Sequence, residues 1–450
     1  MDVAQLQNSK VSIIGAARSG VAVASLLHSK GATLFVSDLQ SREQLEAEIS
    51  TLEQLGIPFE CGGHTDRVFD CSLMVISPGV PSNAPVALEA QRRGIEILSE
   101  LEVASWFCSC PMVAITGTNG KTTTTTLVGR ILGDAKKKHV VAGNIGEAFS
   151  GVVLELDQTS VAVLEVSSFQ LDHCASFHPT IAVILNITTD HMDRYNNSMD
   201  LYAASKARIF MNQRPSDALI FDADDEWTAK TVRAVKSRTY GFTAQQGGYA
   251  AFVENGKLIT ELDGKRTEII PIEEISIKGT HNLYNAMAGT LVGQLLGVGP
   301  ASIRATLRNF KGVEHRLEDV RELNGVRYVN DSKATNVDSV WYALQAFREP
   351  IVLLLGGRDK GNDYSKLNDL VKRHVRAIVA IGESAEKVER AFSSIKPTVR
   401  ANSIEEAVRS AQRLAQRGDV VLLSPACASF DWFEGYEHRG KVFKQLVHSL

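Results

Sequence analysis

Gly117-Thr118-Asn119-Gly120-Lys121-Thr122 follows the apolar run Met112–Thr116 and precedes further threonines at 123–126. A glycine-rich turn between a strand and a helix aims backbone N–H groups at an anion, and the helix adds its N-terminus. Lys121 can neutralise phosphate, and the Thr122 hydroxyl can reach a magnesium ion. The general phosphate-loop pattern asks for a glycine where this chain has Ile115, so the loop is a shorter one with the same parts. Nucleotide phosphates also need metal ligands. The apolar run "VAVLEVSS" presents Glu165 at its end, and "IAVILNITTDH" presents Asp190 and His191. Parallel sheets gather ligand groups at that edge, so magnesium binding is expected there.

A second nucleotide signal lies near the N-terminus. "GAARSG" reads Gly15-x-Ala17-x-x-Gly20 between an apolar run and a helical pattern, and Asp38 follows the next strand where an acid would meet a ribose. Ala17 stands where a glycine would allow close approach to a pyrophosphate, and a segment of about 110 residues is short for a full dinucleotide domain. The segment reads as half a Rossmann fold gripping the diphosphate of something smaller. Two diphosphate sites, one with hydrolytic equipment, indicate an ATP-driven enzyme acting on a nucleotide-linked substrate. A nicotinamide oxidoreductase would leave the phosphate loop idle; a nucleotide switch would turn over ATP without an amino acid.

The elements that must carry these residues alternate between strand and helix. At 450 residues the chain has room for about three domains. Their expected bounds are 1–110, 111–312 and 313–450. The fold class is α/β: a Rossmann-like N-terminal domain, a P-loop ATPase-like central domain with short alternating strands near 239–277, and a Rossmann-like C-terminal domain. Thr122–Thr126 is a poor helix start because branching at Cβ restricts χ1. Leu127, Val128, Ile131 and Leu132 share one face, so packing must hold that turn. Val337, Val340, Trp341, Leu344 and Phe347 recur at helical spacing and predict one buried face. Ser403 and Glu406 predict a capping box.

Composition excludes several classes. A hydrophobic share of 44% with 22% charged residues is that of a globular protein. A formal net charge of −4 gives no general pull toward nucleic acid or anionic membrane. No apolar run is long enough to span a bilayer, and the first residues lack the basic start and apolar core of a signal peptide. Six scattered cysteines, two of them in "CSC", fit buried free thiols in a reducing cytoplasm.

Taken in order, "GTNGKT", "LEVSSFQL", "DHMDRY", "HNLYNAMAG", "VEHRLE", "NDSKATN", "LLLGGRDKGNDY" and "LLSPACASFDWFEGYEHRG" resemble the Mur ligases of bacterial cell-wall synthesis over nearly the whole chain. "SSFQL", "NDSKATN" and "SPACASFD" point to the D-glutamate-adding branch. The resemblance implies an ATP- and Mg2+-dependent cytoplasmic ligase, acting as a monomer on small molecules. It would join D-glutamate to UDP-N-acetylmuramoyl-L-alanine in peptidoglycan precursor synthesis. Another amino-acid ligase of the same family is the alternative.

By that resemblance Ser19, Asp38, Ser77, Gly79 and Asn144 hold the UDP substrate. Gly117, Thr118, Asn119, Gly120, Lys121, Thr122, Thr123, Asn282, Asn285, Arg316 and Asp331 bind ATP, with His315 nearby. Thr122, Glu165, His191 and a carbamylated Lys206 arrange the metal. Lys121, His191, Lys206 and Lys333 are catalytic, and Thr335, Lys360, Ser429, Phe430 and Tyr436 hold D-glutamate as the C-terminal domain closes. Gln40 replaces the basic residue that such enzymes usually offer the uracil. On sequence alone Lys206 in "YAASKARIF" reads as a solvated helix lysine.

Overall fold

The computed structural model describes residues 6, 7, 9–359 and 361–450. Lys360 lies outside the described residues, so its expected place against D-glutamate has no structural counterpart here. Three sheets organise the chain. The first comprises β1 (Lys10–Ile14), β2 (Thr33–Asp38), β3 (Phe59–Cys61), β4 (Leu73–Ile76) and β5 (Glu96–Ser99), all parallel in the order β3-β2-β1-β4-β5. The order reverses at β1, and the crevice outside the strand ends there is where such sheets receive ligands.

The second sheet has a parallel part, β6 (Met112–Thr116), β7 (His139–Gly143), β8 (Val161–Glu165), β9 (Ile181–Ile184), β10 (Ala218–Asp222) and β11 (Arg238–Phe242). It continues into β12 (Ala251–Glu254), β13 (Lys257–Leu262) and β14 (Lys265–Pro271), which pair antiparallel with one another. The order is β14-β13-β12-β11-β10-β9-β6-β8-β7. β6, β8 and β9 are buried along their whole length, which is why they read as unbroken apolar runs rather than alternating ones.

The third sheet comprises β15 (Glu318–Leu323), β16 (Val326–Asn330), β17 (Ile351–Gly356), β18 (Val375–Ile381), β19 (Thr398–Arg400) and β20 (Val420–Leu423), in the order β15-β16-β20-β17-β18-β19. Only β15 runs antiparallel to its neighbour.

Contacts divide the chain into two compact units. Met1–Ile275 with Tyr284–Asn309 carries the first two sheets, and Ser276–Leu283 with Phe310–Leu450 carries the third. In the first unit Leu26, Leu101 and Ala104 share one core with Phe149, Val152 and the buried faces of β6 and β8.

Two local expectations need correction. Val337, Val340, Leu344 and Phe347 are buried, but Trp341 is 38% exposed. It lies on the flank of the apolar stripe, where its ring meets the edge of Tyr342 rather than the core. The capping box forms by half: the Ser403 side chain accepts from the Glu406 N–H, while the Glu406 carboxylate takes the Asn402 N–H instead of that of Ser403. The thiols of Cys110, Cys174 and Cys427 are buried as expected, but Cys61, Cys71 and Cys108 are only half-buried.

Candidate active site

The phosphate loop joins β6 to the helix Lys121–Asp134. Gly120 caps that helix at φ +85°, and a Cβ there would lie 2.4 Å from Asn285 Oδ1, so both backbone and space require glycine. The loop is braced by the segment after β9. Thr118 N–H donates to the Asn186 carbonyl (2.9 Å), Asn119 N–H to Asn186 Oδ1 (2.8 Å), and Thr118 Oγ1 to the Thr188 carbonyl (3.1 Å). Thr122, Thr123, Thr124 and Thr125 are all buried, and Leu127, Val128, Ile131 and Leu132 are fully so. Packing thus overrides the weak intrinsic helicity of the threonine run. Thr124 Oγ1 donates to Asn285 Oδ1 (3.1 Å), which ties the expected adenine-side residue to the loop's own helix.

Lys121 Nζ donates to the carbonyls of Gly117 (2.8 Å) and Thr118 (2.9 Å). Lys206 Nζ, carried by the helix Met199–Ala207, donates to the same Gly117 carbonyl at 2.9 Å. Lys206 is 1% exposed, so it is not a surface lysine. Burial holds its amine well below the ordinary lysine range, and the neighbouring Lys121 charge pushes the same way, against Asp190 and Asp172. A lysine amine whose pKa is lowered by burial is deprotonated, and so nucleophilic, over a wider pH range than a surface lysine.

Glu165 ends β8 and is buried. Its Oε1 accepts from Asn144 Nδ2 at 3.0 Å, whereas Oε2 is buried without a hydrogen-bond partner among the described residues. An orphaned carboxylate oxygen is costly unless a cation completes it, so the donor set fits a hard divalent ion with oxygen ligands. His191 adopts a left-handed conformation (φ +53°), packs edge-on to Phe169 (4.9 Å between centroids), and places Nε2 3.6 Å from Asp190 Oδ2.

Ser19, Asp38, Ser77 and Gly79 of the first domain line one cavity of about 930 Å³, joined by Asn144 from the turn after β7. Gly15 lines it, and a Cβ on Gly20 would lie 1.8 Å from the Gly15 carbonyl oxygen, so the turn behind the cavity requires glycine at 20. Asp38 is engaged on both oxygens. Oδ2 accepts the Ala16 N–H (2.5 Å) and Oδ1 the Gln40 N–H (2.7 Å), so it holds the turn's backbone as well as facing the cavity. Leu39, Phe69, Val80 and Val86 supply apolar wall.

In the second unit Asn282 and Arg316 line a cavity of about 880 Å³ together with Lys278 and Phe310. Asp331 is buried. Its oxygens accept from Leu317 N–H (3.2 Å) and Ser424 Oγ (2.8 Å), and burial raises its carboxyl to about 6 despite the Arg316 charge. His315, also buried, is at φ +65°, contacts Asn330 through Nδ1 (2.8 Å), and is held below the usual histidine range by burial. Lys333 Nζ donates to Tyr436 Oη (3.2 Å). Ser429 is buried, Thr335 half-buried, and Phe430 61% exposed.

Sequence reasoning missed Arg439. Only 1% exposed, it donates to Ser332 Oγ (2.9 Å) and to the carbonyls of Ser332 (2.8 Å), Cys427 (3.2 Å) and Ala428 (3.4 Å). It therefore clamps the turn before Lys333 to the turn before Ser429. The arginine in "YEHRG" was the available signal, but its partners come from two other segments, at Ser332 and at Cys427–Ala428.

Sheet order and phosphate loop define a three-domain α/β nucleotide-binding enzyme, and comparison with known proteins narrows the class. Residues 115–293 match the Mur ligase middle domain, 315–427 the Mur ligase glutamate ligase domain, and 10–86 the MurD N-terminal domain. The chain belongs to the Mur ligase family. It is 44% identical to the UDP-N-acetylmuramoylalanine–D-glutamate ligase of Salinibacter ruber, over 99% of each chain. Identity to the protein of the same name from Chloroherpeton thalassium is 46%, again over 99% of each. Among solved structures it resembles the UDP-N-acetylmuramate-alanine ligase MurC of Thermotoga maritima (TM-score 0.62, 21% identity, 98% of this chain and 100% of that one). It also resembles MurF of Acinetobacter baumannii (TM-score 0.62, 19% identity, 93% and 91%). At those identities the structures speak for the fold.

Proposed function

We propose that this chain is the ATP-dependent ligase that adds D-glutamate to UDP-N-acetylmuramoyl-L-alanine in peptidoglycan precursor synthesis. The observation that carries this reading is the full-length match, above 40% identity, to relatives bearing that name. The reaction belongs in the cytoplasm, and the chain works as a monomer.

A carboxylate oxygen is a poor leaving group, so the acid is activated first. The alanyl carboxylate attacks the γ-phosphorus of ATP, giving an acyl phosphate and ADP. Lys121 leaves its loop carbonyls for the phosphate oxygens and neutralises the charge that builds there. The D-glutamate amine, having lost a proton, attacks the acyl carbonyl; the tetrahedral adduct expels phosphate, gives up its second amine proton to solvent and leaves the amide. Thr122, Glu165, His191 and a carbamylated Lys206 would hold Mg2+, which supplies charge neutralisation at the phosphates. The lowered pKa of the Lys206 amine favours addition to carbon dioxide, the lone pair of its neutral form attacking carbon and the lost proton passing to water.

Ser19, Ser77, Gly79 and Asn144 hold the UDP portion in the first-domain cavity. Asn282, Asn285, Arg316 and Asp331 serve ATP. Lys333, Thr335, Ser429, Phe430 and Tyr436 serve the reacting groups and D-glutamate.

The test is phosphate release from ATP with UDP-N-acetylmuramoyl-L-alanine, comparing D-glutamate, L-glutamate, diaminopimelate and no amino acid. Release that requires D-glutamate, with the product seen by mass, is expected. Release with diaminopimelate alone would move the chain elsewhere in the family, and release indifferent to all four would end the ligase reading.

A further inference from the structure

The first-domain cavity has an unusual charge inventory. Among its lining residues Arg18 is the only lysine or arginine, and Asp38 and Glu89 are the only acids. Both acids are already committed: Asp38 to the Ala16 and Gln40 N–H groups, Glu89 to the guanidinium groups of Arg92 and Arg93. His64 also lines the cavity, but burial holds its ring below the usual range, and it contacts Ser37 Oγ at 2.7 Å. Arg18 is exposed and makes no hydrogen bond or ion pair among the described residues. The buried carboxyl of Glu100 feels its charge without bonding to it.

Arg18 is also the first residue of the helix Arg18–Ser29, which has no acid in its first turn and no side-chain cap at Ala17. A cation there sits at the positive end of the helix dipole, an unfavourable place for it unless an anion lies beside it. Packing does not explain the residue, since its side chain is in solvent. A ligand carrying two or more negative charges would reverse the sign of both terms.

We infer that Arg18 reads the diphosphate of the nucleotide-linked substrate, its guanidinium forked onto phosphate oxygens while Leu39, Phe69 and Val86 face the base. This rests on the cavity being the UDP site. It makes Arg18 a specificity-determining residue: the cavity then discriminates nucleoside diphosphate from nucleoside by one bidentate, charge-assisted contact.

The experiment is calorimetric titration of the full chain with UDP and with uridine, for wild type, R18A, R18K and R18Q, at two salt concentrations. Wild type is expected to bind UDP well above uridine. R18A and R18Q should weaken UDP about ten- to a hundredfold, leave uridine unchanged and flatten the salt dependence, with R18K between. R18Q keeps the side-chain stem, and matched thermal melts check that each variant is folded. UDP binding equal in wild type and both neutral variants would overturn the role of Arg18 while leaving the cavity reading intact. Failure of wild type to bind UDP would overturn the cavity reading and this inference together.

Discussion

Asn144 lines the first-domain cavity and donates its side-chain amide to Glu165 Oε1 at 3.0 Å, while the other Glu165 oxygen has no hydrogen-bond partner among the described residues. One short side chain therefore touches the wall of the proposed sugar-nucleotide site and the proposed metal carboxylate. Asn144→Ala should free Glu165 to swing and should remove a cavity contact at the same time. The expected result is a rise in KM for the sugar nucleotide together with a rise, roughly tenfold, in the Mg2+ concentration giving half-maximal rate. A magnesium titration that superimposes on wild type would dissolve the link.

Lys206 makes a prediction about stability that is independent of catalysis. An unfolded lysine holds its proton to about pH 10.4, whereas the buried amine releases it at lower pH. Between those two values the unfolded chain carries the extra proton, so stability rises with pH through that window. In carbon-dioxide-free buffer, Lys206→Met should rise less than wild type when melted at steps from pH 7 to 10. Parallel curves would mean that Lys206 is charged in the folded chain.

Asp331 has the opposite sign. Its folded carboxyl titrates at about 6, against about 3.9 unfolded, so the folded chain holds more protons in between and stability falls as pH rises from about 4 to 6. The cost at neutral pH is roughly 2–3 kcal/mol. Asp331→Asn should recover a good part of it, measured by chemical denaturation at pH 4.5 and 6.5, while losing ligase activity. A variant whose pH dependence matches wild type would show that the carboxyl is ordinary.

Arg439 sits among backbone carbonyls, and no carboxylate among the described residues bonds to it. Arg439→Met should leave those carbonyls unpaired and lower stability by about 3 kcal/mol. Arg439→Lys keeps the charge but not the planar fork, and should recover part of the stability while KM for D-glutamate stays raised. If the lysine variant restores KM fully, charge alone is what the two turns need.

Phosphate loop, strand ends and first-domain turn were legible because each is a local pattern: Gly-Lys-Thr after β6, an acid closing β8, Gly-x-Ala-x-x-Gly after β1. Lys206 was not, since nothing within its helix announces that the Gly117 loop, 89 positions earlier, covers it. Burial of this kind is decided by chain segments far apart in sequence. Trp341 failed for the related reason that periodicity gives a stripe's direction but not its width. Arg439 was visible as a letter in a motif, yet its partners lie 11 to 107 positions away.

The resting contacts of Lys121 bear on which nucleotides the loop accepts. Its ammonium already donates to the carbonyls of Gly117 and Thr118, so an arriving ligand competes with resident acceptors rather than meeting a bare charge. A neutral nucleoside offers nothing better and leaves the lysine where it is. A polyphosphate does, and drawing Lys121 out leaves the shared Gly117 carbonyl to Lys206. The resting contacts therefore set a threshold that a ligand must exceed to engage Lys121, a threshold that favours polyphosphates over weak anions.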